Sequence, residues 1–378
     1  MPITRLGFWL SVIFLCAACA APPVPATSVP AGSASNGPAT PSAPPPGTTL
    51  TLVTHDSFDV SKEVLSAFTA QTGIAVQVLK SGDAGEMLNT MLLSKENPLG
   101  DVVYGVDNTF LSRALDGGLF APYQSPLLST LSPLLADVPD ELELDPSHRL
   151  LPVDFGFVTL NYDSKWFQEH NLPPPSSIED LVKPEYKGLT VVQNPATSSP
   201  GLAFLLVTIG RFGETGDRTY LDYWKDLVAN DVLVTDGWSE SYYNAFTVGS
   251  GGRGERPIAV SYATSPAAEV FFNNLKEPPS GSVNTPGNSF LQVEFAGVVA
   301  KSPHQQAARQ LVDFMLGETF QSDIPLHMFV YPANNKADVG DLFRQWAQAP
   351  AQPMTMAPDE IAAQRERWID AWTKVVLR

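Results

Sequence analysis

Thr49-Leu50-Thr51-Leu52-Val53-Thr54, then Val60, Val64 and Phe68 at helical spacing up to Gly73, then Ile74-Ala75-Val76-Gln77-Val78-Leu79: this stretch decides the fold. Short runs of β-branched and apolar residues favour strands. Apolar positions four apart lie on one helix face, and a glycine after the last of them is a common helix stop. Strand, helix and strand within about 30 residues make a βαβ unit with parallel strands. An α/β fold with a parallel sheet is therefore expected.

The alternation continues along the chain. Gly85 to Ser94 reads as a helix and Asp101-Val102-Val103-Tyr104-Gly105 as a strand. Phe155 to Tyr162, Leu189 to Val192, Ile258 to Tyr262 and Val293 to Val299 read as further strands. Helices are expected from about Pro200 to Phe212 and from Ala307 to Leu316. The C-terminal segment starts with Pro358, Asp359 and Glu360, a proline-then-acid helix start. Its Ile361, Arg365, Trp368, Trp372 and Val375 fall on adjoining turns, so both tryptophans read as core. The architecture is α/β, with two lobes and a cleft between them.

Toward the N-terminus the character changes. Arg5 is followed by the apolar run Leu6 to Ala18, short for a membrane span and ordered like a secretory signal. It ends in Cys16-Ala17-Ala18-Cys19. Residues 20–48 hold no charged residue and are rich in Pro, Ala, Ser, Thr and Gly, the composition of a semi-extended tether. The expected organisation is a signal over 1–18, Cys19 with a disordered tether over 19–48, and a two-lobed body over 49–378. Lobe 1 is expected over about 49–154 and 293–325, lobe 2 over about 155–292, and 326–378 is left unassigned. Chain crossings between the lobes are expected near Phe155 to Tyr162 and Val293 to Val299.

The 378 residues carry a formal net charge of −17, which argues against a nucleic-acid partner. Hydrophobic residues make up 44%, enough for a sizeable core. The two cysteines both lie near the N-terminus, so the body has no disulfide framework and no cysteine metal cluster. His55, His148, His170, His304 and His327 are scattered without metal-ligand spacing. Gly-x-Ser-x-Gly, the phosphate loop and His-Glu-x-x-His are all missing from the sequence. Gly249 to Gly254 reads as a loop. No cofactor is implied, and the chain reads as a binding protein, not an enzyme.

What the sequence does offer is polar and aromatic punctuation after strands. Asp56-Ser57 follows the first, Asp83 the second and Asp107-Asn108 the third. Thr197-Ser198-Ser199-Pro200-Gly201 opens a helix, Trp238-Ser239-Glu240 follows Leu233-Val234-Thr235, and Tyr262-Ala263-Thr264-Ser265-Pro266 follows another strand. In open α/β sheets ligands sit beyond the carboxyl ends of strands. Each of these residues also has a plainer reading, since Ser, Thr and Asp there commonly cap helices. Trp238 stands in a polar context where a core role is less natural.

The same stretches resemble the thiamine-binding proteins of bacterial transporters, within the wider solute-binding family that also binds ferric ion and polyamines. The matching segments include Thr54-His55-Asp56-Ser57-Phe58, Asp101 to Asn108, Pro152-Val153-Asp154-Phe155-Gly156 and Pro195 to Leu202. Gly237 to Glu240, Ser261 to Pro266, Leu291-Gln292-Val293-Glu294, Tyr331-Pro332-Ala333-Asn334 and Glu360 to Trp372 continue the series in order. The N-terminus resembles a bacterial lipoprotein signal with Cys19 as the lipidated residue, although Cys16 stands where an aliphatic residue is usual.

The resemblance implies a type II-like periplasmic-binding-protein fold closing on thiamine or its phosphates. It implies an ABC-transporter permease as partner, a lipid anchor in the periplasm or on the outer face of the cytoplasmic membrane, and a monomer. Trp238 and Tyr262 would meet the ligand's rings, with Phe329 as a further ring. Asp83 would accept from the exocyclic amine, with Asp56 and Asp107 as alternative carboxylates, and Ser198 and Ser199 would hold a phosphate at a helix start. His55, Ser57, Tyr242, Thr264 and Ser265 are secondary candidates. Three positions depart from the family pattern. His55 stands for a tyrosine, Phe329 for a tryptophan and Ala268 for a tyrosine. The aromatic cage is then looser, rebuilt by Tyr242 or Phe272, or shaped for a related ligand. The adjacent Tyr242-Tyr243 keeps ferric ion open as an alternative, polyamines are another, and a secreted hydrolase is the remote one.

Overall fold

The structure is a computed structural model that describes residues 47–131, 142 and 144–377. The signal over 1–18, Cys19 and the tether up to residue 46 lie outside the described residues. Thr48 is buried and already joins the folded body, its carbonyl accepting the Ala75 N–H at 3.0 Å.

The opening βαβ unit forms as the sequence leads one to expect. Strand β1 (Thr49–Thr54) runs parallel to β2 (Ala75–Lys80), joined by the helix Lys62–Thr72. Ser61 caps that helix by accepting the Val64 N–H, and Gly73 ends it at φ 74° with its N–H on Thr69 O. Left-handed backbone of that kind costs glycine little and other residues more. Strand β3 (Val102–Asp107) lies parallel on the other side of β1.

Eight strands then run in the order β2-β1-β3-β9-β4-β7-β5-β6. Here β4 is Leu151–Asp163, β5 Thr190–Gln193, β6 Leu233–Thr235, β7 Ile258–Tyr262 and β9 Phe290–Val298. Two short strands, β8 (Ser280–Ser282) and β10 (Tyr331–Pro332), also pair with β4. Both outer wings, β2-β1-β3 and β7-β5-β6, are parallel. The centre is not: β4 and β9 run antiparallel to each other and to the wing strands beside them. The 13-residue β4 is the joint between the wings. It pairs with β9 from Leu151 to Val158 and with β7 from Val158 to Tyr162. Such a strand is buried on both sides, so its apolar run shows no alternation to reveal its length or direction.

Alternation along β1 and β3 sorts side chains onto two cores. Leu52, Val102 and Tyr104 face a core with Phe68, Leu311 and Met315, from the helices Lys62–Thr72 and Gln305–Leu316. Val53 and Val103 face the other, which holds Met87 and Leu88 of the helix Ala84–Leu93 and Leu205 of the helix Ser199–Phe212. Each such side chain contributes about 1.5–3 kcal/mol by burial. The C-terminal helix Pro358–Val376 belongs to this second core. Trp368 and Trp372 are buried in it, and Trp372 meets Trp224 edge-on at 5.5 Å. The tryptophans of the tail are therefore packing residues. Among the described residues no helix is long and apolar enough to cross a membrane.

Candidate ligand site

Loops leaving the carboxyl ends of β1, β2, β5, β6 and β7 converge on the central antiparallel strands β4 and β9 and enclose a cavity of about 500 Å³. Ligands of open α/β sheets sit at such strand ends, and the volume suits a small molecule.

One wall is aromatic. After β6 the chain turns through a short helix, Trp238–Glu240, into a π-helical turn, Ser241–Ala245. The wide turn carries Tyr242 under Trp238, with ring centroids 5.0 Å apart and planes 19° from parallel. Trp238 Nε1 donates to Ser261 Oγ at 2.9 Å, which fixes the indole. Tyr262, from the end of β7, meets Trp238 edge-on at 6.1 Å. Buried Glu269 holds Tyr242 from behind, accepting from Tyr242 Oη and Ser280 Oγ at 2.5 Å each. Burial pushes the Glu269 carboxyl up to about 7.

The facing wall is acidic. Asp56 and Asp83 come from the loops after β1 and β2, and Glu294 and Asp154 from the central strands. Asp83 has two structural duties as well. Its Oδ1 caps the helix Ala84–Leu93 by accepting the Ala84 N–H at 2.7 Å, and its Oδ2 accepts the Trp238 N–H at 2.9 Å. Burial raises its pKa against the opposing effect of the Trp238 amide.

The carboxyls at the strands form a network. Tyr104 Oη donates to Asp154 at 2.5 Å and lies 3.1 Å from Glu294 Oε2. His55 Nε2 stands 3.7 Å from Glu294 Oε1, and its Nδ1 hydrogen-bonds with Ser57 Oγ at 2.8 Å. Burial, then the charge of Glu294, pushes Asp154 well above the usual carboxylate range.

Of the residues singled out from the sequence, Asp56, Asp83, Ser199, Trp238, Tyr262 and Phe329 line the cavity. So do the secondary candidates His55, Ser57, Tyr242, Thr264 and Ser265. Phe329 does so with left-handed backbone at φ 55°, its ring 5.4 Å from that of Phe272. Asp107 and Ser198 do not line it: both are wholly buried behind the wall. Asp107 accepts from Thr109 N at 2.7 Å and Thr109 Oγ1 at 2.6 Å, and Ser199 Oγ donates to its other oxygen. The start of the helix Ser199–Phe212 thus already has carboxylates on it, because the Ser199 N–H also points at Asp83.

Asp154, Gln292, Glu294 and Glu269 line the cavity without having been singled out. The signal for the first three was present, since Asp154, Gln292 and Glu294 are acidic or amide positions inside otherwise apolar strands. Glu269 sits in a helix and had none. No group of three or more His, Cys, Asp or Glu side chains suited to a metal ion occurs among the described residues.

Comparison with known proteins gives a consistent result. The family described as bacterial extracellular solute-binding protein matches residues 97–351. A thiamine-binding periplasmic protein of Escherichia coli (strain K12) is 31% identical over 334 residues, 87% of this chain and 94% of that relative. One of Brucella suis biovar 1 is 29% identical over 336 residues, 87% of this chain and 92% of that relative. The solved structure of a periplasmic thiamin-binding protein superposes with a TM-score of 0.76 at 29% identity, covering 88% of this chain and 97% of that one.

Proposed function

The chain belongs to the bacterial extracellular solute-binding protein family, and on that premise we propose that it captures thiamine in the cavity at β4 and β9. Membership makes it an extracytoplasmic solute-binding protein with the two-lobed α/β fold, a transport component and not an enzyme.

One observation carries the ligand assignment. The aromatic corner of Trp238, Tyr242 and Tyr262 and the carboxyl groups of Asp56, Asp83 and Glu294 line a single cavity. Thiamine joins a thiazolium cation to an aminopyrimidine. The cation suits an aromatic face, at about 0.5–2 kcal/mol per contact, and the exocyclic amine suits a carboxylate. The relatives that carry thiamine in their names support the same ligand.

A phosphate at the start of the helix Ser199–Phe212 would have to displace Asp83 and Asp107 from Ser199. The reading therefore ranks thiamine ahead of its phosphate esters. It further assigns delivery to an ABC-transporter permease, a lipid anchor at Cys19, and a lobe boundary at the crossing strands β4 and β9.

Calorimetric titration of the purified, ligand-free protein with thiamine, thiamine monophosphate and thiamine diphosphate tests it. Submicromolar binding, tightest for thiamine, is expected. No heat with any of the three from folded protein would overturn the assignment, and Fe(III) and polyamines would be tried next.

A further inference from the structure

Two ionisable side chains, His55 and Glu294, approach each other in the cavity beyond ordinary hydrogen-bond distance. His55 and Glu294 are both nearly buried, and their closest atoms, Nε2 and Oε1, are 3.7 Å apart. Nδ1 of the imidazole is engaged by Ser57 Oγ, while Nε2 has no hydrogen-bond partner. Glu294 is held from its other sides by Tyr104 Oη at 3.1 Å and Gln292 Nε2 at 3.4 Å. The carboxylate is thus fixed by neutral donors, and the imidazole is anchored through Nδ1 while its Nε2 faces the carboxylate.

The groups around His55 favour a positive charge at that place. Asp56 lies on its own loop, Asp83 on the loop after β2, Tyr104 on β3, Asp154 on β4 and Glu294 on β9. Lys80 lines the same cavity. Burial works against the protonated imidazole, but Glu294, then Asp83 and Asp56, outweigh it and raise His55 above 6.5. Burial likewise pushes Glu294 up, and the charge of His55 with the hydroxyl of Tyr104 brings it below its ordinary value. Each group therefore favours the charged form of the other within the cavity.

We propose that Glu294 is the carboxylate that receives the ligand's cationic ring and that His55 is the resident cation it gives up, its proton leaving to solvent as the ligand enters. This rests on the reading of the ligand as thiamine. A permanent cation beside His55 disfavours a second positive charge there. Uptake then releases a proton, so affinity rises with pH while His55 is protonated in the free protein, by about tenfold per pH unit where release is complete. Above that range the profile is flat. The pair so selects a permanent cation over a neutral analogue.

The test is thiamine titration at about pH 6 in phosphate and in Bis-Tris, and at about pH 8 in phosphate and in Tris, each a pair of buffers whose ionisation heats differ. At the lower pH a buffer-dependent heat reporting proton release is expected, and it shrinks at the higher pH. His55→Gln is expected to bind thiamine with no buffer dependence and a flat pH profile. Glu294→Gln is expected to weaken binding at least about tenfold and to lose proton release, with its melting curve as the check on folding. Thiamine heats equal in both buffers at the lower pH, or proton release kept in His55→Gln and so due to another group of the cavity such as His327, Asp83, Asp154 or Glu269, would overturn this proposal alone. No thiamine binding at all would overturn both it and the ligand assignment.

Discussion

The Asp83 carboxylate accepts the backbone N–H of Trp238 at 2.9 Å, across 155 positions of sequence. With its other oxygen it caps the helix Ala84–Leu93. One side chain from the loop after β2 therefore sets the start of a helix and the position of the aromatic wall opposite.

Substitution separates these duties from charge. Asn can still cap the helix with its one acceptor oxygen but puts an NH2 donor where the other carboxylate oxygen accepts the Trp238 N–H, so Asp83→Asn is expected to melt somewhat below the unaltered protein and to bind a cationic ligand more weakly. Asp83→Ala leaves the Ala84 and Trp238 N–H groups without this acceptor and is expected to cost about 1–3 kcal/mol of stability as well. Denaturant unfolding alongside thiamine titration distinguishes the two.

Trp238 is partly exposed, and its ring contributes to the cavity wall more than to the core. Trp238→Ala is expected to weaken thiamine binding by about tenfold or more and to lower the unfolding midpoint as well, because the indole also stacks on Tyr242 and donates to Ser261. Trp238→Phe keeps a ring over Tyr242 and is expected to lose less. Titration of both variants checks the order.

Gly105 sits within β3 at φ 96°, and a Cβ there would come within 2.2 Å of His55 Cδ2. The backbone angle and the imidazole each demand glycine. Gly105→Ala is expected to destabilise the protein by about 1–3 kcal/mol and to displace His55, so ligand affinity and melting temperature fall together.

Glu269 makes stability depend on pH. Its folded pKa of about 7 lies above the ordinary 4.5, so the folded state keeps a proton that the unfolded chain has lost. Stability from this group is therefore full below about pH 4.5 and declines as pH rises through about 7, by about 3 kcal/mol in all. Glu269→Gln removes that decline. Denaturant unfolding at pH 5 and pH 8 is expected to show the variant gaining on the unaltered protein at the higher pH.

The local elements were legible because their causes are local. Ile258–Tyr262 was read with the bounds that β7 has, the helix Lys62–Thr72 from apolar spacing and a glycine stop, and the helix Ala84–Leu93 as Gly85 to Ser94, one residue along. The antiparallel centre was not. A strand buried on both faces, such as β9, looks the same from sequence whichever way it runs. The site divides similarly. Residues just after strands were candidates because that place is set by chain order, and Trp238, Tyr262, Asp56 and Asp83 do meet there. Asp107 and Ser198 satisfied the same rule, yet they face inward, because the direction of a side chain leaving a strand depends on the turn that follows.

By itself the sequence determined the α/β alternation, the loops that would converge, and the acidic and aromatic character of what they carry. Tertiary structure alone decided that Glu294 would stand beside His55, that Tyr104 would bridge Glu294 and Asp154, and that Asp83 would hold Trp238. Periodicity and capping act over a few residues and leave a mark in composition. A hydrogen bond between residues 155 or 190 positions apart depends on strand order and register, which many sequences of the same local pattern satisfy differently.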